Sequence, residues 1–345
     1  MLKGSAANNF NLVKIYCCQL DIAWEDKHTN FQRVSDLLDN QDVLPGSLVI
    51  LPEMFASGYS QNADAIAEVA GGPTQVFLAN LAREKGVYLL GGLVRMNPQG
   101  RLRNEAICLN PSGQRISSYA KLHLFSPPDQ IRHYVPGARL SLFHWGEVKV
   151  AVFICQDLHF PEIFRMAVKR GASVLVVIAN WPGKNQSHWT ALLRARAIEN
   201  QAYAIGVNRC GMDPQQDCYG GSLVVDPLGA LVAEAGGAEA LIAVDLEIKA
   251  MNKLRQDFPV LRDMRTQFAL KNPAGSLALR RPVVRFLSKK TGARISPRCP
   301  FAESLAGSPT DYLGVNPGSL APVSTLNVPG KGAGINLFRP QNNSQ

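Results

Sequence analysis

The sequence has no charge-free apolar run of about 18 residues, the length a helix needs to cross a bilayer. Its opening stretch, "MLKGSAANNFNLVKIYCCQL", also lacks a secretory pattern, because the early apolar segment is short and carries Lys14. We therefore expect a soluble, cytoplasmic protein with no membrane partner. Paired cysteines are missing too: Cys17, Cys18, Cys108, Cys155, Cys210, Cys218 and Cys299 form an odd set without ribbon-like spacing. That excludes a disulfide framework and a zinc ribbon, and leaves most of these thiols reduced, several as small core residues. There is no phosphate-binding glycine loop, since "GGPTQ" and "GGLVR" have the wrong spacing, and no internal repeat.

What is present is enough apolar material for a large core: 345 residues, 46% of them hydrophobic, suggesting one large domain or two ordinary ones. The formal net charge of +9 suggests nucleic acid until it is divided along the chain. Residues 271–345 carry ten Lys or Arg against Glu303 and Asp311, a balance of +8, which leaves about +1 for the first 270 residues. A near-neutral body without a basic aromatic stripe argues against nucleic-acid binding. The basic segment is dense in Pro, Gly and Ser, as in "NPAGS", "SPRCP" and "NVPGKGAG", and marks a boundary near Phe268. We expect residues 269–345 to be a poorly ordered extension that is either solvated or touches an acidic partner.

Before that boundary, short β-rich apolar runs alternate with amphipathic stretches. The runs include "LVKIYCCQL", "LVILPE", "VYLLGGLV", "VKVAVFIC", "ASVLVVIAN" and "AYAIGVNR"; helices are expected at roughly 29–39, 74–85, 161–170 and 187–201. Strand and helix in alternation, with buried strands, imply an α/β protein built on one or two large sheets.

Three residues stand at comparable places, each after a strand-like run: Glu53 in "LVILPEMFASGY", Lys121 in "SSYAKLHLF" and Cys155 in "VAVFICQDLHF". Ends of strands are where α/β proteins expose functional groups on a rigid frame. Singly, each has a plain alternative: a core thiol, a surface ammonium, a solvated carboxylate. Together they form a chemical unit. A neutral thiol needs help to become a thiolate, a carboxylate can take its proton, and an ammonium can hold charge developing on a carbonyl oxygen.

The stretches "LPEMFASGY", "YAKLHLF" and "FICQDLHFPEIFR", in that order, resemble the Glu, Lys and Cys motifs of the carbon–nitrogen hydrolase (nitrilase) superfamily; "VVIANWP", "ARAIENQAY" and "VNRCG" resemble its omega-amidase branch. The resemblance covers roughly residues 12–265, within a hydrolase domain placed at 12–268. It implies an α-β-β-α sandwich of two packed mixed sheets with outer helices, assembled as a homodimer. It further implies Cys155 as nucleophile, Glu53 as general base, and Lys121 with the backbone N–H of Gln156 as the oxyanion site. No cofactor or metal is expected; His123 and His133 flank the lysine loop, but no third ligand stands at suitable spacing. Two departures matter. Gln130 stands where many members carry a second glutamate, and "CQDLHFP" places Gln156 and His159 where Tyr and Arg are common. Asn180 and Trp181 are candidate pocket residues, Trp181 with core packing as the alternative. Arg209 is a candidate carboxylate clamp, with a structural ion pair as the alternative. The expected activity is cleavage of a small linear amide to acid and ammonia, with 2-oxo acid amides such as 2-oxoglutaramate as substrates. The alternatives are a nitrilase, an N-carbamoyl-amine hydrolase, or a weakened scaffold that binds a partner through its basic extension.

Overall fold

The apolar runs become strands buried on both faces, and their alternation shows what covers each face. In β1 (Val13–Gln19), Ile15 and Cys17 point toward a second sheet, while Tyr16 and Cys18 point toward outer helices. The period of two along a strand makes this division automatic. The computed structural model describes residues 13–124 and 134–265.

After β1 the chain runs through α1 (Lys27–Asp39), β2 (Leu48–Ile50), α2 (Ala63–Ile66), α3 (Pro73–Lys85), β3 (Tyr88–Met96), β4 (Leu102–Leu109) and β5 (Arg115–Ala120). It continues with β6 (Leu142–Trp145), β7 (Val148–Ile154), a single 3₁₀ turn at Cys155–His159, α4 (Pro161–Lys169), β8 (Val174–Ala179), α5 (Gln186–Asn200) and β9 (Tyr203–Asn208). A small ribbon of β10 (Cys210–Met212) and β11 (Asp217–Tyr219) follows, then β12 (Leu223–Val225), β13 (Leu231–Glu234), β14 (Ala240–Leu246) and α6 (Ile248–Asp257). The helix boundaries follow local chemistry. The Asp26 side chain accepts from Thr29 N at 3.0 Å to open α1, whereas Pro73 starts α3 and Gly86, at φ +66°, stops it.

Two six-stranded mixed sheets result, ordered β14-β1-β2-β3-β4-β5 and β13-β12-β9-β8-β7-β6. Within the first, β1, β2 and β3 are parallel; within the second, β7, β8 and β9 are parallel. Residues such as Ile15, Leu48, Ile50, Val150, Val152, Ile154, Val176 and Ile178 fill the space between the sheets. Helices α1 and α3 cover the outer face of the first sheet, and α4 and α5 that of the second. This is the α-β-β-α sandwich that the sequence resemblance implies. Each fully buried aliphatic side chain in the middle layer contributes about 1.5–3 kcal/mol, so truncating Ile154 or Ile178 to Ala would cost about 2–5 kcal/mol. Parallel strands of both sheets end near one another, and Glu53, Cys155 and Asn180 follow the ends of β2, β7 and β8, while Lys121 follows β5.

Candidate active site

Glu53 lies three residues past the end of β2, and its side chain is fully buried. Its backbone is seated against β3 at Gly92, where a Cβ would come within 2.6 Å of Met54 N and 2.8 Å of Glu53 Cα. Any larger residue there would displace the carboxylate. Four contacts hold that carboxylate. Oε1 accepts from Lys121 Nζ at 2.9 Å and from Asn104 Nδ2 at 2.6 Å; Oε2 accepts from Asn180 N at 2.8 Å and from Asn180 Nδ2 at 3.4 Å. Such a set fixes its orientation.

Lys121 follows β5 and is 3% exposed. Its backbone is held by donation from Lys121 N to Asn104 O and from Gly137 N to Lys121 O. Burial alone would push its pKa down, but the Glu53 carboxylate, with a contribution from Cys155, outweighs this and holds it above the ordinary lysine value. The ammonium is charged at any physiological pH.

Cys155 follows β7 and is only partly buried, unlike Cys17, Cys18 and Cys108. Its φ is +46°, a left-handed conformation that a side chain disfavours by about 1–2 kcal/mol. The reversal turns Sγ out of the strand line toward Asn180 O, 3.9 Å away. Asp157, two residues on and fully buried, holds the turn by accepting from Ile154 N at 3.0 Å, Tyr119 Oη at 2.6 Å and His123 N at 3.0 Å. Burial pushes the Cys155 thiol up and the Glu53 carboxylate adds to the push; Lys121 acts the other way without reversing it. The resting sulfur is therefore a thiol, not a preformed thiolate. Asn180, just after β8, touches both partners: its amide groups donate to Glu53 and its carbonyl accepts from Cys155. Glu53, Lys121, Asn180 and Cys155 thus share one hydrogen-bonded frame, drawn from both sheets.

Other candidates fall on either side of this frame. Gln156 is partly buried in the 3₁₀ turn beside the thiol. Trp181 is 2% exposed, donates from its indole N–H to Asn185 O at 2.9 Å, stacks on His159 with ring centroids 5.1 Å apart and packs into the core, the alternative reading. Arg209 is fully buried, and its guanidinium is engaged by Asp213 at 2.8 Å, Asp21 at 3.5 Å and Cys210 O at 3.0 Å. The arginine fork therefore meets protein carboxylates, the ion-pair alternative, rather than standing open for a substrate. Gln130 and His133 lie outside the described residues. His123 meets Asp157 through Nδ1 at 2.9 Å and stacks on Phe160. No cluster of three metal-ligating side chains occurs among the described residues.

Sequence reasoning missed Asn104, which sits inside β4 and faces Glu53 with no local mark of function. It also missed Tyr134. The Tyr59 and Tyr134 hydroxyls both have pKa values pushed up, by burial first and then by Glu53, so both phenols stay protonated beside the carboxylate.

Comparison with known proteins agrees with this geometry. The family described as "Carbon-nitrogen hydrolase" matches residues 14–256. The 2-oxoglutaramate amidase of Bacillus subtilis (strain 168) is 31% identical over 252 residues, covering 73% of this chain and 97% of that protein. Omega-amidase YafV of Escherichia coli (strain K12) is 31% identical over 253 residues, covering 73% and 96%. A solved carbon–nitrogen hydrolase superfamily protein of Xanthomonas campestris, with an arsenic adduct in its active site, superposes with a TM-score of 0.70 at 30% identity, over 74% of this chain and 97% of that one. The chain belongs to the carbon–nitrogen hydrolase family and is an enzyme acting on carbon–nitrogen bonds of non-peptide amides.

Proposed function

We propose that the enzyme is an omega-amidase, hydrolysing the terminal carboxamide of small 2-oxo acid amides such as 2-oxoglutaramate through an acyl-enzyme on Cys155. The observation that carries this reading is the shared frame, in which Asn180 links the Glu53 carboxylate to the Cys155 thiol while Lys121 is paired to Glu53. Relatives named omega-amidase and 2-oxoglutaramate amidase, at about 30% identity over nearly their whole length, support the substrate class.

The chemistry follows from the positions. As substrate enters, Glu53 takes the thiol proton and sulfur attacks the amide carbon. The resulting oxyanion lies against the Lys121 ammonium and the backbone N–H of Gln156. Collapse breaks the C–N bond, and Glu53 returns the proton to the departing nitrogen, which leaves as ammonia. Glu53 then takes a proton from water, the hydroxide attacks the thioester, and collapse of the second tetrahedral species frees the carboxylic acid. The sulfur recovers its proton from Glu53. Because the resting thiol is raised rather than lowered, proton transfer is coupled to attack instead of preceding it. In the same reading the hydrolase unit spans residues 12–268, the enzyme works in the cytoplasm as a homodimer, and residues 269–345 are an appended extension.

The test is ammonia release from 2-oxoglutaramate, a simple nitrile and an N-carbamoyl amine, measured side by side. We expect the 2-oxo acid amide to be turned over fastest, and Cys155→Ala to lower kcat by about 10⁴–10⁶-fold, the scale seen when a covalent nucleophile is removed. Unchanged turnover in Cys155→Ala would remove that residue from the mechanism; preference for the nitrile or carbamoyl compound would reassign the substrate.

A further inference from the structure

The ribbon of β10 and β11 forms its own small sheet through Cys210–Tyr219, Gly211–Cys218 and Met212–Asp217, and is tied to the chain leaving β1 by Cys210 N, which donates to Leu20 O at 2.9 Å. Its tip reaches the active site. The turn between the strands is closed around Asp213: Oδ1 accepts from Gln215 N at 2.8 Å and Gln216 N at 2.9 Å, while Asp213 N donates to Gln216 O at 3.0 Å. The other carboxylate oxygen accepts from the buried Arg209 guanidinium at 2.8 Å. Gln216 is thereby fixed at its backbone, and its side chain Nε2 donates to Asn180 O at 3.2 Å, with Cys218 Sγ at 3.6 Å. Asn180 O is the same carbonyl that accepts from Cys155.

That shared acceptor has a consequence during turnover. In the resting state the Asn180 carbonyl receives hydrogen bonds from both the thiol and Gln216. Once Glu53 has taken the proton, sulfur can no longer donate, and a carbonyl oxygen now faces a developing negative charge. A carbonyl left without a donor in a buried site is costly, and its lone pairs would oppose the thiolate. Gln216 remains as donor in both states. We propose that Gln216 is a positioning residue for the nucleophile, held by the Arg209–Asp213 ion pair so that its amide keeps the Asn180 carbonyl satisfied while Cys155 ionises and attacks. Arg209 thus serves the reaction at one remove, by anchoring the ribbon turn. The inference rests on the reading of Cys155 as nucleophile.

Gln216→Met removes the donor at similar size, and Gln216→Glu replaces it with an acceptor once ionised. Gln216 lies on a partly exposed turn, so both variants are expected to fold; thermal melting checks this. For Gln216→Met we expect kcat on 2-oxoglutaramate to fall about tenfold, the scale of one hydrogen bond near charge, with KM within about threefold of the parent. The rate at which iodoacetamide labels Cys155, followed by peptide mass spectrometry, should fall in the same proportion, and Gln216→Glu should lose at least as much in both. Asp213→Asn should approach the Gln216→Met values, and the double variant should lose no more than Gln216→Met alone. Parent-like kcat and labelling in Gln216→Met, a change confined to KM, or additive losses in the double variant would each overturn the proposal. A Cys155→Ala enzyme that still turns over substrate would instead overturn the nucleophile assignment itself, which keeps the two failures separate.

Discussion

Two chain reversals flank the site, one from each sheet: Met54, immediately after Glu53, has φ +46°, and Cys155 has the same value. In the first, the residue in the left-handed conformation is a buried anchor. Met54 is 0% exposed and packs with Ile66, Val94, Leu102 and Tyr134, and the functional group sits one residue earlier in relaxed backbone. In the second, the strained residue is the one that the proposed function makes the nucleophile. The contrast extends to the surroundings. The first sheet and the loops leaving it supply Glu53, Lys121 and Asn104, all buried and bonded to one another, as fixed charges and dipoles. The second supplies a partly exposed thiol and, through Asn180, its link to that charge cluster. In the proposed reading, preorganised electrostatics and the nucleophile are thus built by different halves of the fold.

The largest test of this division is Lys121→Met. It leaves the Glu53 carboxylate without its cation and, in the proposed mechanism, removes an oxyanion donor, so kcat for amide hydrolysis should fall by about 10²–10³-fold or more. A loss under tenfold would mean that the first sheet's charge cluster is structural. Next in size is the pH dependence of Cys155 alkylation. A raised thiol has little thiolate at neutral pH, so iodoacetamide labelling should climb by about tenfold per pH unit between pH 7 and 9 without levelling off. A plateau beginning near neutrality would show a depressed thiol and a preformed ion pair, and would erase the contrast between the two halves.

The smallest effect compares the reversals directly. Glycine relieves a left-handed φ but loses whatever its side chain packed against. Met54→Gly should destabilise the fold by about 2–5 kcal/mol, because a buried side chain is lost. Cys155→Gly loses the contacts of one small side chain packed against both core layers and relieves about 1–2 kcal/mol of strain, less about 0.5–1 kcal/mol of chain entropy, so its effect on stability should be smaller than that of Met54→Gly. Chemical denaturation measures both; equal losses would mean that side-chain packing does not separate the two reversals, which share the same φ.

These effects also separate what the sequence discloses from what it hides. Glu53 and Cys155 stand out in the sequence because each follows an apolar run, and Lys121 because it follows a strand-like stretch, "RISSYA"; the structure brings the three onto one hydrogen-bonded frame. The helices expected near 29–39, 74–85, 161–170 and 187–201 appear as α1, α3, α4 and α5, displaced by no more than two residues at either end, since their amphipathic period and caps are local. Asn104 was not legible: mid-strand, it looks like any polar residue until β4 is laid beside Glu53, a contact across 51 positions. Gly92 is similar, since its need to be small arises from a neighbouring loop. For Arg209 the sequence leaves a substrate clamp and a structural ion pair open, and the structure shows the pair; Asp213 four residues later, in a turn with Pro and Gly nearby, is the local signal that favours it. The short edge pieces β10, β11 and β13 left no clear trace because ribbons of three or four residues carry too little pattern.

The measurement closest to the central claim is an acid-quench trap: 2-oxoglutaramate is mixed with enzyme, the reaction is stopped in acid during turnover, and the peptide containing "ICQD" is weighed. The account predicts a mass increase equal to the 2-oxoglutaryl group on Cys155 in the parent enzyme and none on Cys17, Cys108 or Cys218. Steady ammonia release with every cysteine peptide unmodified, or an adduct on a different thiol, would contradict it.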